Sequence, residues 1–224
     1  MPSAQDSARA WEAKGFKAVA APLLRVVNAP ETPAAPSPES VLVFTSKNGV
    51  FAYQGYGFNP AHKVITVGDA TAAAARAVGF TDVTSAQGTS ADVTALILKT
   101  IATTTPIIHC AGRHIRGTIS EDLRAAGYQA RRDLYYQSQA VTTWPDIDYS
   151  ALTHVAFYSP LAARTFQQLA SQGLSAKFSL DIHTPVFISI SRATDAALGE
   201  LTTVQRYIAN APNEAAMLKV IEGA

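Results

Sequence analysis

The chain repeats itself in order, and this repeat limits it to two similar halves. Residues 41–53 read VLVFTSKNGVFAY and residues 154–166 read HVAFYSPLAARTF. In each, an apolar run closes on an aromatic residue and a serine before helical spacing begins. Ser46 falls opposite Ser159 at an offset of 113 residues. KVITVGDATAAAARAVG resembles PVFISISRATDAALGE, with Thr71 opposite Thr194 at an offset of 123. ARAWEAKGFKAVAAPLLRV resembles EDLRAAGYQARRDLYYQ, with Gly15 opposite Gly127 at an offset of 112. Any one match is weak. Three in the same order, at similar offsets, outweigh chance.

Short β-rich runs (VLVF, KVITV, PIIHC, HVAFY, PVFISI) alternate with segments of helical period, such as residues 90–101 and 119–126. That alternation predicts parallel sheets with right-handed crossovers, hence an α/β fold, as two similar lobes. NAPETPAAPSPES, with Pro30, Pro33, Pro36 and Pro38, can form neither a helix nor a central strand. SQAVTTWPDIDYS is a second break. Two such breaks predict a discontinuous lobe: the chain starts in one lobe, crosses to build the other, and returns.

With 224 residues, nearly half of them apolar, the chain can bury a core. A net charge of +1 gives no reason to expect a nucleic-acid partner. Cys110 is the only cysteine, which rules out an intrachain disulfide and a thiolate cluster for a metal. The opening MPSAQDSARAWEAKGF has no apolar segment of the secretory kind, and no run approaches bilayer length. The expectation is a cytoplasmic protein with no membrane partner.

In an open parallel sheet, ligands bind beyond the carboxyl ends of the strands. Each strand there hands over to a helix N-terminus, whose free N–H groups and dipole attract anions. Five such turns can be read: Thr45–Asn48, Gly68–Thr71, Ala111-Gly112-Arg113, Ser159, and Ser191–Thr194. Gly68 is expected to let the backbone turn sharply, Asp69 to cap the next helix, and Thr71 to sit in its first turn. These hydroxyls and amides suit a ligand with many carboxylates or phosphates. Taken singly, each Ser, Thr or Asp reads as a cap. Gly112 and Gly117 lack the Lys-Ser/Thr of a phosphate loop. His109 and His114 have no evident third ligand and read as a buried strand histidine and a surface one. Asp146 and Asp148 read as turn formers, and core packing is the default for at least one of Tyr135 and Tyr136.

The motifs FTSKNGV, VGDATAAAARAVGF, HCAGRHIRGTISEDLRAAGYQARRDLYY and FYSPLAARTF, in this order, resemble the uroporphyrinogen-III synthase family over nearly the whole chain. The resemblance implies two flavodoxin-like lobes on a two-segment linker, with an active-site cleft between them. Residues 1–27 plus 140–224 would form the discontinuous lobe and residues 30–137 the inserted one. It further implies that hydroxymethylbilane, a linear tetrapyrrole with eight carboxylates, loses water and closes with inversion of ring D to uroporphyrinogen III, on the way to haem. No cofactor or metal is implied, and a monomer is expected. Motif by motif, Tyr136 and Thr71 become catalytic candidates. Ser46, Lys47, Asn48, Gly68, Asp69, Gly112, Arg113, Ser159, Ser191 and Thr194 become substrate-binding candidates. The Thr194 match is the weaker one, because Ser191 stands where the family has glycine. Tyr135 takes the place of Tyr136 if the register slips by one. A two-lobed, non-catalytic binding protein for a small polyanion stands as the alternative.

One feature of the repeat is unequal. PIIHC and AGR precede the helical segment 119–126, whereas only Met1-Pro2-Ser3 precede its counterpart at 4–13. Family members usually open with an apolar strand ending Thr-Arg-Pro. The discontinuous lobe is therefore expected to hold one strand fewer, and to be less stable or to cover the gap by a partner contact. A start codon further upstream is the alternative.

Overall fold

The computed structural model describes residues 4–56, 58–114, 117–171, 178, 185–200 and 204–222. The chain divides into two compact units, a central one of residues 26–138 and a flanking one of residues 1–25 and 139–224.

The central unit is built on a six-stranded sheet of order β1-β6-β5-β2-β3-β4. Its strands are β1 (Leu24–Asn28), β2 (Val41–Phe44), β3 (Val64–Thr66), β4 (Val83–Ser85), β5 (Ile107–Gly112) and β6 (Ala130–Ala140). The chain passes from one unit to the other within β1 and again at the end of β6. The pairs β2–β3, β2–β5, β3–β4 and β5–β6 are parallel. Parallel neighbours need crossovers, here α2 (Lys47–Gln54), α3 (Asp69–Ala77), α4 (Ser90–Thr100) and α5 (Ile119–Ala125). Successive strand residues face opposite sides, so both sheet faces are filled. Leu42, Phe44, Ile108 and Cys110 pack with Val50, Tyr53 and Ala75. Val41, Val43, Ile65 and Ile107 pack with Val93, Ile97, Ile119 and Leu123. Each Val, Leu, Ile or Phe among them contributes about 1.5–3 kcal/mol through burial.

The flanking unit carries a parallel sheet of order β7-β8-β9, with β7 (His154–Phe157), β8 (Val186–Ser189) and β9 (Arg206–Ile208). Among the described residues its helices include α1 (Ala4–Glu12), α6 (Pro160–Ala170), α7 (Arg192–Ala196) and α8 (Glu214–Glu222). Phe157 and Phe187 pack with Phe166, Leu169 and Leu198. Ile188 packs with Trp11, Met217 and Ile221. Tyr158 ties two helices to the end of β7: Trp11 Nε1 donates to its hydroxyl at 2.9 Å, and that hydroxyl donates to Glu214 Oε1 at 3.0 Å.

The order β2-α2-β3-α3-β4 recurs as β7-α6-β8-α7-β9, which is the repeat read in the sequence. Among the described residues the two sheets differ by more than the single strand expected, six strands against three. Two things widen the gap. β1 joins the outer side of β6 in the central sheet, and residues 16–23, the counterpart of the start of β6, form no strand until Leu24.

Gly49, buried inside α2, marks a close helix–sheet approach. A Cβ there would lie 2.8 Å from the Cys110 carbonyl oxygen and 3.3 Å from the Phe44 ring. Gly49→Ala should therefore cost about 1–3 kcal/mol in urea unfolding, because backbone must shift. Gly68 has open space around it and extended angles. Gly68→Ser should be neutral, or stabilising by a few tenths of a kcal/mol, by adding a helix cap.

Candidate active site

Four helices start on residues of almost identical backbone geometry. Ser46 has φ −154°, ψ 147° and Ser159 has φ −156°, ψ 151°; their Oγ atoms accept from Asn48 N at 3.2 Å and Ala162 N at 3.1 Å. Ser191, at φ −160°, ψ 162°, accepts from Thr194 N at 3.3 Å and shares a 3.0 Å hydrogen bond with the Thr194 hydroxyl. Gly68 occupies the matching position at the head of α3, with φ −156° and ψ 170°.

That last observation corrects two expectations. The N-cap is Gly68, not Asp69, and it makes no side-chain cap bond. Its backbone is also extended, so the turn needs no glycine for its angles. What glycine provides is bare space, since a Cβ would meet nothing within 4 Å. Asp69 sits in the first turn, where its charge suits the dipole. Lys47, Asn48 and Asp69 are exposed, whereas Thr71 and Thr194 are buried on the inner side of their helices.

Gly112 is likewise not in a turn. It is the last residue of β5, and it faces a shift in register. Ala111 pairs with Leu134, but Gly112 pairs with Tyr136, leaving Tyr135 as the extra residue of a β-bulge. Strict alternation would send Tyr135 and Tyr136 to opposite faces. The bulge lets both pack against one apolar cluster. Tyr135 is 1 % exposed, between Tyr53 and Tyr56, and burial pushes its phenol pKa far up. Tyr136 is half-buried at the carboxyl end of the sheet. Its ring lies over Gly112, where a Cβ would come within 2.7 Å of Cε2 and Cζ and 3.1 Å of the hydroxyl. The Arg113 N–H donates to the Tyr136 carbonyl at 3.0 Å, fixing the backbone at this point.

Arg132 is part of this corner and carried no distinguishing sequence signal beyond a paired arginine in a strand. Its guanidinium donates to the carbonyls of Gly112 at 2.6 Å and Arg113 at 2.8 Å, while Arg113 Nε donates to Gln137 Oε1 at 2.7 Å. A cavity of about 360 Å³ lies against both arginines and against Glu31 and Asp133. In the flanking unit, a cavity of about 510 Å³ opens at the ends of β8 and β9, lined by Ser191, Arg192 and Asn210 among others.

His109 is buried in β5, as read from the sequence, and His114 is exposed. His109 Nε2 meets Thr45 Oγ1 at 3.4 Å and its Nδ1 has no protein partner. Burial, then the Arg132 charge, lowers its pKa to about 4. Among the described residues no three His, Cys, Asp or Glu side chains group as metal ligands, and no helix is long and apolar enough to cross a membrane. The residues gathered here offer a phenol, two arginines and a set of helix starts.

Residues 5–219 match the model of the family described as uroporphyrinogen-III synthase HemD. The chain is similar in structure to the uroporphyrinogen-III synthetase of Helicobacter pylori 26695, at 19% identity over 90% of each chain, with a TM-score of 0.56. The wild-type uroporphyrinogen III synthase of the extremely thermophilic bacterium Thermus thermophilus aligns over 98% of this chain and 93% of its own, at 14% identity and a TM-score of 0.43. No curated protein sequence matches the chain.

Two outcomes follow from this geometry. His109 is held neutral in the fold, so the unfolded chain binds the extra proton between its ordinary pKa of 6.5 and the folded value of about 4. Stability should be fully present above pH 6.5 and fall as pH drops through that window, by on the order of 3 kcal/mol, with the slope absent in His109→Gln. Gly112→Ala should displace the Tyr136 ring and cost about 1–3 kcal/mol, read from tyrosine side-chain NMR shifts and urea unfolding.

Proposed function

This chain belongs to the uroporphyrinogen-III synthase family, and we propose on that premise that it closes hydroxymethylbilane to uroporphyrinogen III with Tyr136 assisting the loss of water. Its place is in tetrapyrrole biosynthesis, as an enzyme. The observation that supports the choice of Tyr136 is its position: half-buried beside the carboxyl end of β5, over Gly112, while Tyr135 is sealed in the core.

The C–O bond of the hydroxymethyl group breaks as the Tyr136 hydroxyl donates a proton, or a strong hydrogen bond, to the leaving oxygen. Water departs and an azafulvene cation remains. The substrate also cyclises unaided, to the uninverted isomer, so the enzyme's larger task is to direct attack to the substituted carbon of ring D. That is orientation of a bound chain. Its carboxylates suit the free N–H groups at the starts of α2, α3 and α6 and the guanidinium of Arg113. Ser46, Lys47, Asn48, Gly68, Asp69 and Gly112 form this set in the central unit, and Ser159, Ser191 and Thr194 in the flanking one. Thr71, buried beneath Gly68, holds the first turn of α3 in place for a carboxylate. A cytoplasmic monomer acting on a small molecule completes the reading, in keeping with the single buried thiol of Cys110.

Incubation with hydroxymethylbilane, followed by separation of the product isomers, tests this. An excess of isomer III is expected; the isomer ratio of the enzyme-free reaction would refute it. Tyr136→Phe should lower the rate about ten- to a hundredfold and Thr71→Ala less, since one charge-assisted hydrogen bond contributes about 1.5–3 kcal/mol.

A further inference from the structure

The Tyr136 ring lies in a slot between two glycines. A Cβ on Gly112 would meet its Cε2 at 2.7 Å, and one on Gly49, in α2, would meet its Cε1 at 3.7 Å. Gly49 is held inside a helix, whereas Gly112 ends a strand. β5 pairs with β2 through Ile107, Ile108 and His109. Among the described residues Cys110, Ala111 and Gly112 are laddered to β6 alone, across the register shift. Past Gly112, the Arg113 N–H bonds the Tyr136 carbonyl. The Gly112 wall of the slot therefore has sheet support on one side only.

Arg132 adds a second support. It stands opposite His109, three residues short of Gly112, and its side chain reaches along β5 to the end of the strand. Both hydrogens of Nη2 are used there, one on the Gly112 carbonyl at 2.6 Å and one on the Arg113 carbonyl at 2.8 Å. Bonds from a charged donor are about twice as strong as neutral ones. Successive carbonyls of a regular strand point to opposite sides, so one nitrogen that holds both fixes the chain as it leaves the sheet. By alternation Arg132 shares the sheet face of Ala130, whereas Tyr136 packs on the opposite face. Gly112 is thus gripped by the guanidinium from one face and by the phenol ring from the other.

We propose that Arg132 is a positioning residue of the reaction: it holds the Gly112 wall of the slot and thereby sets the direction of the Tyr136 hydroxyl. This rests on the reading of Tyr136 as the phenol that assists the loss of water. With the strand end unclamped the ring would swing, and a misplacement of about 1 Å can slow an oriented reaction on the order of a hundredfold. Arg132 also borders the cavity of about 360 Å³. A direct hold on a substrate carboxylate there is the competing role. It would act on KM, where positioning of Tyr136 acts on kcat.

Steady-state kinetics with hydroxymethylbilane, and carbon-13 NMR of the tyrosine Cζ atoms without substrate, test this on the full chain, on Arg132→Met, on Tyr136→Phe and on the double variant. In Arg132→Met the Tyr136 resonance should shift or broaden while that of Tyr135 stays, and kcat should fall about tenfold with KM within about twofold. In the Tyr136→Phe background the same substitution should change kcat by less than about twofold, because the group it positions is gone. An unmoved Tyr136 resonance in folded Arg132→Met overturns the proposal, as does an equal loss of rate in both backgrounds. A raised KM at unchanged kcat overturns it in favour of the carboxylate contact. If Tyr136→Phe is slow and Arg132→Met keeps its rate, the reading of Tyr136 stands and the proposal alone is overturned. If the unaltered chain shows no turnover above the enzyme-free reaction, or Tyr136→Phe is as fast as it, that reading fails, and the role of Arg132 in the reaction fails with it. Should Arg132→Met fail to fold, Arg132→Lys carries the same readouts, since its ammonium stands on a shorter stem and lacks the planar fork.

Discussion

Parallel pairing is the constraint from which the other features descend. Strands that run the same way must each return through a helix, so the helix starts collect at the carboxyl end of the sheet. In this chain that end is furnished twice with the same part. Ser46 and Ser159 differ by only a few degrees in φ and ψ, and each folds its hydroxyl onto an amide of its own helix. Helix starts built this way present N–H groups and a positive dipole without formal charge. A chain of nearly balanced charge can therefore suit a substrate rich in carboxylates.

The second constraint is local. A single register shift between Ala111 and Gly112 decides which tyrosine is sealed in the core and which stays half-buried. Tyr135 is locked among Tyr53, Tyr56 and Cys110, and burial pushes its phenol pKa up. Tyr136 is held from three directions: its ring by the bare Cα of Gly112, its carbonyl by Arg113, and the neighbouring carbonyls by Arg132. A phenol positioned by backbone contacts loses little freedom on binding substrate, which is what a reaction governed by orientation requires.

The repeat made much of this legible in the sequence. The serine caps of α2 and α6 follow from a β-run ending in aromatic and serine, because that pattern is local. So do the histidine positions, since His109 lies within a five-residue apolar run and His114 beyond a glycine. Four features were not legible. Gly68 rather than Asp69 caps α3, because the helix begins one residue earlier than its first polar side chain suggests. The bulge is a property of two strands and leaves no mark in either sequence alone. Residues 16–23 match the start of β6 in the repeat, yet with three alanines, a lysine and a proline they form no strand before Leu24. Arg132 escaped notice for a similar reason: its hydrogen bonds are to carbonyls about twenty residues away.

The central claim is that the bulge divides the tyrosine pair, giving Tyr136 to the substrate and Tyr135 to the core. Carbon-13 labelling at the tyrosine Cζ, with NMR spectra of the full chain taken as uroporphyrinogen III is added, reads both phenols at once. The Tyr136 resonance should move with ligand concentration and saturate, while that of Tyr135 stays fixed. A Tyr136 resonance that stays put under saturating ligand, or a Tyr135 resonance that moves in its place, would contradict the account.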